Sequence, residues 1–293
     1  MGARLRSRLD RIDKPPEARN AIEGNVVNMP TTPTIMQGAE PFFFAGSRIG
    51  ALCVHGLTAS PQEVYWLGKH LAQQGLTVLG PRLAGHGTTF NDLRLSRWQD
   101  WYYSVLDGYH LLRQCCDQIF VLGISLGGLL SLHLAAHEKI AGVVAMAAPL
   151  YVEAKGARFT PMLRYVVNTV VTFDRANDPL NERVLQRQRE RGEPAVGRVA
   201  YYRHSAAGVA ELLKIQQAVR ADLARITAPT LLVYSEKDLA VSVRNIDLLT
   251  DGLISAPSVE VFRLKQSDHI VTNDVECDDV FERAWSFIHK LTG

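Results

Sequence analysis

The chain has 293 residues, of which 47% are hydrophobic, 21% charged and 8% aromatic. Those values exclude wholesale disorder, collagen and coiled coil, and the length suffices for one sizeable core. Lys and Arg number 32 against 30 Asp and Glu, a net charge of +2, which argues against a dedicated nucleic-acid binder.

Residues 1–32 are polar and contain Pro15, Pro16 and Pro30, so they read as an arm, partly disordered or loosely docked. Its basic start (Arg4, Arg6, Arg8) leads into Asp10, Arg11, Asp13 and Lys14. No apolar run of signal-peptide length follows, so no secretory signal is expected. Met1-Gly2 is followed by Arg6 where myristoylation needs Ser or Thr. No stretch approaches 18 uninterrupted apolar residues, so no membrane span is expected. Cys53, Cys115, Cys116 and Cys277 show neither CxxC spacing nor a disulfide framework. They read as free thiols in a reducing cytoplasm.

Ile49–His55 is a short apolar run ending at Gly56, which suits a buried strand. Ser60 then reads as a helix N-cap, with Pro61 at the first helical position and Glu63 completing a capping box. That helix is expected to run to about Gly75. Leu76–Leu79 reads as a strand, Trp98–Cys116 as a helix, Gln118–Ile124 as a strand, Leu126–His137 as a helix and Ala141–Ala148 as a strand. The alternation resumes with strand Thr230–Ser235, a helix near Val243–Asp251, strand Val259–Leu264 and a helix near Asp278–Leu291. Apolar strands alternating with helices imply a mostly parallel sheet covered on both faces, with ligands beyond the strands' carboxyl ends.

Leu150 to about Val219 breaks the alternation and carries a mixed-sign run, Glu182 to Glu193. It is expected to be a helical cap over the strand ends. The expected partition is an arm at 1–32, a core at 33–149 and 220–293, and a cap at 150–219.

Gly123-Ile124-Ser125-Leu126-Gly127 matches G-x-S-x-G between a strand and a helix, the setting of a nucleophile elbow. The small residues let backbones pass closely while Ser125 projects above the sheet beside a helix N-terminus. A serine needs a base, and the base needs an orienting acid, here expected in the chain order Ser, acid, His. Asp238 and His269 both follow apolar strands, 31 residues apart. Glu236 is an alternative acid, and His55, His86, His133, His137 and His204 are alternative bases without that order and position. Asp268 is expected to point elsewhere, and Asp274 to shape the loop after His269. An oxyanion hole is expected from the N–H groups of Leu126 and Leu57, with Thr58 the rival to Leu57. His55 reads as a structural partner of that loop, and Gly85-His86-Gly87 as a turn or pocket rim.

His133 and His137 stand four apart on one helix, a spacing that can bind zinc, but position 134 is Leu134 where a metalloprotease carries Glu. Packing is the expected role, and neither a metal nor a cofactor is expected. No phosphate loop of the G-x-x-x-x-G-K type and no G-x-G-x-x-G opening a helix is present.

With His55-Gly56, Gly123–Gly128, Asp238 and His269 in place, the sequence from about Ile35 onward resembles the α/β-hydrolase family. His55–Pro61, Pro81–Gly87 with Trp98–Trp101, and His269–Asp274 further resemble the bacterial carboxylesterase and monoacylglycerol lipase branch. The resemblance implies oxyanion donors at Leu57 and Leu126 and a small helical cap. The longer N-terminal arm and Asp268, where a small residue is usual, depart from that branch. The expected activity is hydrolysis of short- to medium-chain acyl esters or monoacylglycerols through an acyl-enzyme on Ser125. A thioesterase, amidase or C–C bond hydrolase, or a non-catalytic binding protein on the same fold, are the alternatives.

Overall fold

The computed structural model describes residues 34–151, 169–172, 174 and 177–293. The expected arm at 1–32 lies outside them, as do residues 152–168 of the expected cap.

The elements of the first half are β1 (Phe42–Phe44), β2 (Ile49–Val54), α1 (Gln62–Gln73), β3 (Thr77–Gly80), α2 (Phe90–Leu95), α3 (Trp98–Arg113), β4 (Gln118–Ile124), α4 (Leu126–His137) and β5 (Gly142–Met146). The second half holds β6 (Thr169–Thr172), α5 (Pro179–Glu190), β7 (Arg203–Ser205), α6 (Ala206–Asp222), β8 (Thr230–Ser235), α7 (Arg244–Gly252), β9 (Val259–Leu264) and α8 (Cys277–Thr292). Seven strands form one sheet in the order β1-β3-β2-β4-β5-β8-β9, parallel except for β1. This is the α/β-hydrolase arrangement that the alternation implies.

The central strands show why a continuous apolar run becomes a strand here. In β4, Ile119 and Val121 enter the core on one face, while Phe120, Leu122 and Ile124 enter the other. Val143 and Ala145 of β5, and Leu232 and Tyr234 of β8, join the first face. Val144, Met146, Leu231 and Val233 join the second. With side chains alternating and both faces covered, no buried position on these strands can be polar without a partner. Helices α3, α4 and α6 supply the first cover through residues such as Trp101, Leu129 and Ile215. Helices α1 and α8 supply the second through Leu67, Leu71, Phe281 and Phe287.

Four elements escaped the sequence reading. β1 is a three-residue edge strand, too short for a periodic signal. α2 is a six-residue helix opened by a capping box, Thr89 with Asp92. β6 and β7 form a separate two-stranded sheet.

The capping box expected at Ser60 is corrected. Helix α1 begins after Pro61, and no side chain caps it. Glu63 turns away from the helix end and accepts the Gly56 N–H at 2.7 Å. The buried Gly56 amide in the loop after β2 would otherwise be unpaired, whereas N–H groups of the first helical turn, those of Glu63 and Val64, are taken by the Ser60 and Pro61 carbonyls.

The sheet reverses direction of growth between β2, which is followed outward by β3, and its other neighbour β4. Loops leaving the carboxyl ends of two such strands diverge and open a crevice. Ser125 follows β4 and His55-Gly56 follow β2, so both stand at that point.

Candidate active site

Ser125 sits between β4 and α4 with φ 54° and ψ −119°. A non-glycine residue held there stores about 1–3 kcal/mol of backbone strain. The neighbouring glycines make the turn feasible. A Cβ on Gly123 would overlap the Gly127 carbonyl, and one on Gly127 would overlap the Val54 carbonyl. The G-x-S-x-G spacing is thus a packing requirement, with α4 pressed onto the ends of β2 and β4.

Three strand ends converge. His269 Nε2 lies 2.9 Å from Ser125 Oγ, and His269 Nδ1 lies 2.8 Å from Asp238 Oδ2. The second oxygen of Asp238 accepts the N–H groups of Ala240 and Val241, each at 2.8 Å. The carboxylate, whose side chain is fully buried, is thereby held through both oxygens. Chemically, this chain can move a proton from a hydroxyl to an imidazole whose charge faces a fixed carboxylate.

Asp268 does point away from Ser125. Its Oδ1 accepts the N–H of Leu239, at 3.1 Å, and that of His269, at 2.8 Å. It therefore ties the turn that carries Asp238 to the turn that carries His269. Asp274 shapes the following loop by accepting the Asp268 N–H at 2.7 Å, and it pairs with Arg183 of α5. Glu236 is exposed, and the acid that meets His269 is Asp238.

The loop after β2 leans on the elbow. A Cβ on Gly56 would stand 3.4 Å from the Ser125 Cβ. His55 is buried, with Nδ1 against the Gly56 carbonyl at 2.9 Å and Nε2 accepting the Leu83 N–H at 3.2 Å. Burial holds its pKa well below the ordinary value, and His86 and Arg82 add to that effect. His86 packs edge-on against His55 and Trp101. Both imidazoles are structural. Among the described residues, no hydrogen bond occupies the N–H of Leu57, Thr58 or Leu126.

Residues after α5 lace onto these loops. The Tyr201 N–H donates to the Thr58 carbonyl at 2.8 Å, and its hydroxyl donates to the Gly85 carbonyl at 3.1 Å. Gln62 bridges to Gly197 and Val199. Strand β7 brings His204 close enough to His269 for their charges to oppose.

Glu63 is the site residue whose role the sequence reading missed. It is 6% exposed, and burial raises its carboxyl pKa against the opposing effects of the Gly56 N–H, Arg198 and His269. The carboxyl shapes the backbone next to Ser125. Removing it with Glu63→Leu strands a buried donor and is expected to lower stability by about 1–3 kcal/mol, whereas Glu63→Gln keeps an acceptor and most of the stability. Urea unfolding of both variants checks this.

Burial disfavours the charged form of His269, but the hydrogen bond and charge of Asp238, with Glu63 and Asp268 behind it, outweigh that and raise its pKa above 6.5. An imidazole that accepts a proton must first be neutral. The rate is therefore expected to fall as pH drops through a midpoint above 6.5, by tenfold per unit below it. A kcat/KM profile between pH 5 and 9 reads that limb directly.

A strained serine at a strand-to-helix elbow, facing histidine and acid from the last two strand ends, defines a hydrolase of the α/β-hydrolase fold. Residues 49–276 match the family described as serine aminopeptidase, S33, and the chain belongs to that family. It is 34% identical over 263 residues to a thermostable monoacylglycerol lipase of Bacillus sp. (strain H-257), covering 88% of this chain and 98% of that one. It is 25% identical to a carboxylesterase of Bacillus subtilis (strain 168), over 86% of this chain and 97% of that one. Among solved structures, one from a study of the metagenome-derived lipolytic enzymes LipS and LipT is similar at TM-score 0.73 and 28% identity, covering 88% of this chain and all of that one. The monoacylglycerol lipase of Paleococcus ferrophilus shares the fold at TM-score 0.69 and 18% identity, over 86% and 98% of the two chains. The chain is thus a hydrolase of the lipase and esterase group.

Proposed function

We propose that the protein hydrolyses carboxylic esters, short- to medium-chain acyl esters or monoacylglycerols, through an acyl-enzyme on Ser125. The observation that carries this reading is the hydrogen-bonded chain from Ser125 through His269 to Asp238. His269 takes the Ser125 proton as Oγ attacks the ester carbonyl, and Asp238 holds the imidazole tautomer and steadies its charge. The N–H groups of Leu57 and Leu126 stabilise the tetrahedral oxyanion. His269 then protonates the leaving alcohol. Water, activated by the same imidazole, releases the acid and restores Ser125.

The segment 150–219 acts as the cap in this reading, supported by the hold of Tyr201 on the strand-end loops and of Gln62 of α1 on Gly197 and Val199. The near-neutral net charge fits an uncharged substrate selected by apolar shape. The relatives' names favour esters, while the family's description makes an amide the natural competitor. One panel separates them: p-nitrophenyl esters from acetyl to palmitoyl, a monoacylglycerol, an acyl thioester and an aminoacyl p-nitroanilide. The expected outcome is highest kcat/KM on an ester or monoacylglycerol. Highest kcat/KM on the anilide or thioester would overturn the reading.

A further inference from the structure

His133 and His137 project from the last turns of α4 toward the end of α6, where Asp222 meets them. Asp222 Oδ2 lies 3.1 Å from His133 Nδ1 and 2.9 Å from His137 Nε2. The three atoms all fall within 4.8 Å of one another. One carboxylate oxygen and two imidazole nitrogens thus face a common point. We propose that His133, His137 and Asp222 form a structural binding site for a divalent transition-metal ion of the zinc class.

Three features support a ligand set over simple packing. First, the geometry is close: at metal–ligand distances of about 2.0–2.1 Å, tetrahedral ligands sit roughly 3.3 Å apart, near the two separations to Asp222, 3.1 and 2.9 Å, with the two imidazole nitrogens within 4.8 Å of each other. Second, His133 is 8% exposed, yet its Nδ1 makes no well-directed hydrogen bond, because its approach to Asp222 is poorly aligned. A buried nitrogen left that way has a lone pair to offer. Third, the ligands are oriented from behind. Arg225 holds the other Asp222 oxygen at 3.3 Å, and the His133 ring is wedged edge-on against Tyr102 and Trp98. Outer partners of this kind fix ligand direction in metal sites.

Three protein ligands leave a fourth position for water, and His137, about a third exposed, is the side from which an ion enters. The site lies roughly 12–18 Å along α4 from Ser125, counting 1.5 Å per residue. An ion there would pin the far end of the nucleophile-bearing helix to α6 without touching the chemistry. The sequence alone shows the i, i+4 histidines but not Asp222, which is 85 residues beyond His137.

The test is isothermal titration of the EDTA-treated full chain with Zn2+, repeated in His137→Ala, Asp222→Asn and Cys115→Ser. The expected result is a single tight site in the parent and in Cys115→Ser, with a raised unfolding midpoint when zinc is present. Binding should weaken more than about 100-fold in His137→Ala and in Asp222→Asn, since loss of even an outer partner costs about 10–100-fold. Ester hydrolysis in the absence of zinc should be unchanged in His137→Ala. Co2+ should give visible tetrahedral absorption in the parent and not in the two site variants. Absence of a tight site in the parent, or undiminished binding in the site variants, would overturn the proposal.

Discussion

Ser125→Ala is expected to lower kcat/KM for a p-nitrophenyl ester by at least about 10,000-fold while the chain stays folded. The loss follows from chemistry alone. Ser125 Oγ is the atom that faces His269 Nε2, and alanine leaves that imidazole with no hydroxyl to deprotonate. The fold should tolerate the change, because alanine is smaller and takes the same strained backbone position at no greater steric cost. Thermal unfolding of the variant separates the two effects. The double variant Ser125→Ala, His269→Ala should be hardly slower than Ser125→Ala, since the pair acts as one unit. Losses that multiply would mean that the two residues act separately.

Asp238→Asn is the second large effect, expected at about 1,000- to 10,000-fold in kcat. The geometry remains but the proton moves. Asp238 Oδ2 now accepts the Nδ1–H of His269, which leaves Nε2 free to take the Ser125 proton. An asparagine amide presented there would donate to Nδ1 and place the ring proton on Nε2, facing Ser125. The sign of the accompanying pH change follows from the charges. Asp238 raises the His269 pKa, so its loss should shift the acid limb to lower pH while the plateau falls. A plateau that falls with an unmoved limb would mean that Asp238 acts only by position.

Much of this architecture is legible in the sequence, and the reasons are particular. β4 and α4 carry the bounds expected of them because a buried run, Ile119–Ile124, meets a glycine-bounded turn at Ser125. β8 and β9 are equally clear, and their polar exits bring Asp238 and His269 to the edge where Ser125 stands. What stayed hidden depended on contacts between distant segments. Glu63 reads locally as a capping residue, yet the unpaired Gly56 amide seven residues earlier claims it. Asp268 looks incidental beside His269 until Leu239, 29 residues earlier, is seen to donate to it. Helix α6 runs from Ala206 to Asp222, past residue 219 where the expected cap ends, and its buried residues, Ala206 to Val219, spread around much of its circumference. Periodicity reports which face of a helix is buried but not which neighbour buries it.

The central claim is that an acyl group is carried on Ser125. The most direct measurement is mass spectrometry of the intact chain, and of its peptides, after reaction with a fluorophosphonate probe. A single adduct on the peptide containing Ser125, with parallel loss of ester hydrolysis and no adduct in Ser125→Ala, is the predicted result. An active protein that stays unlabelled, or a chain labelled and inactivated at another residue, would contradict it.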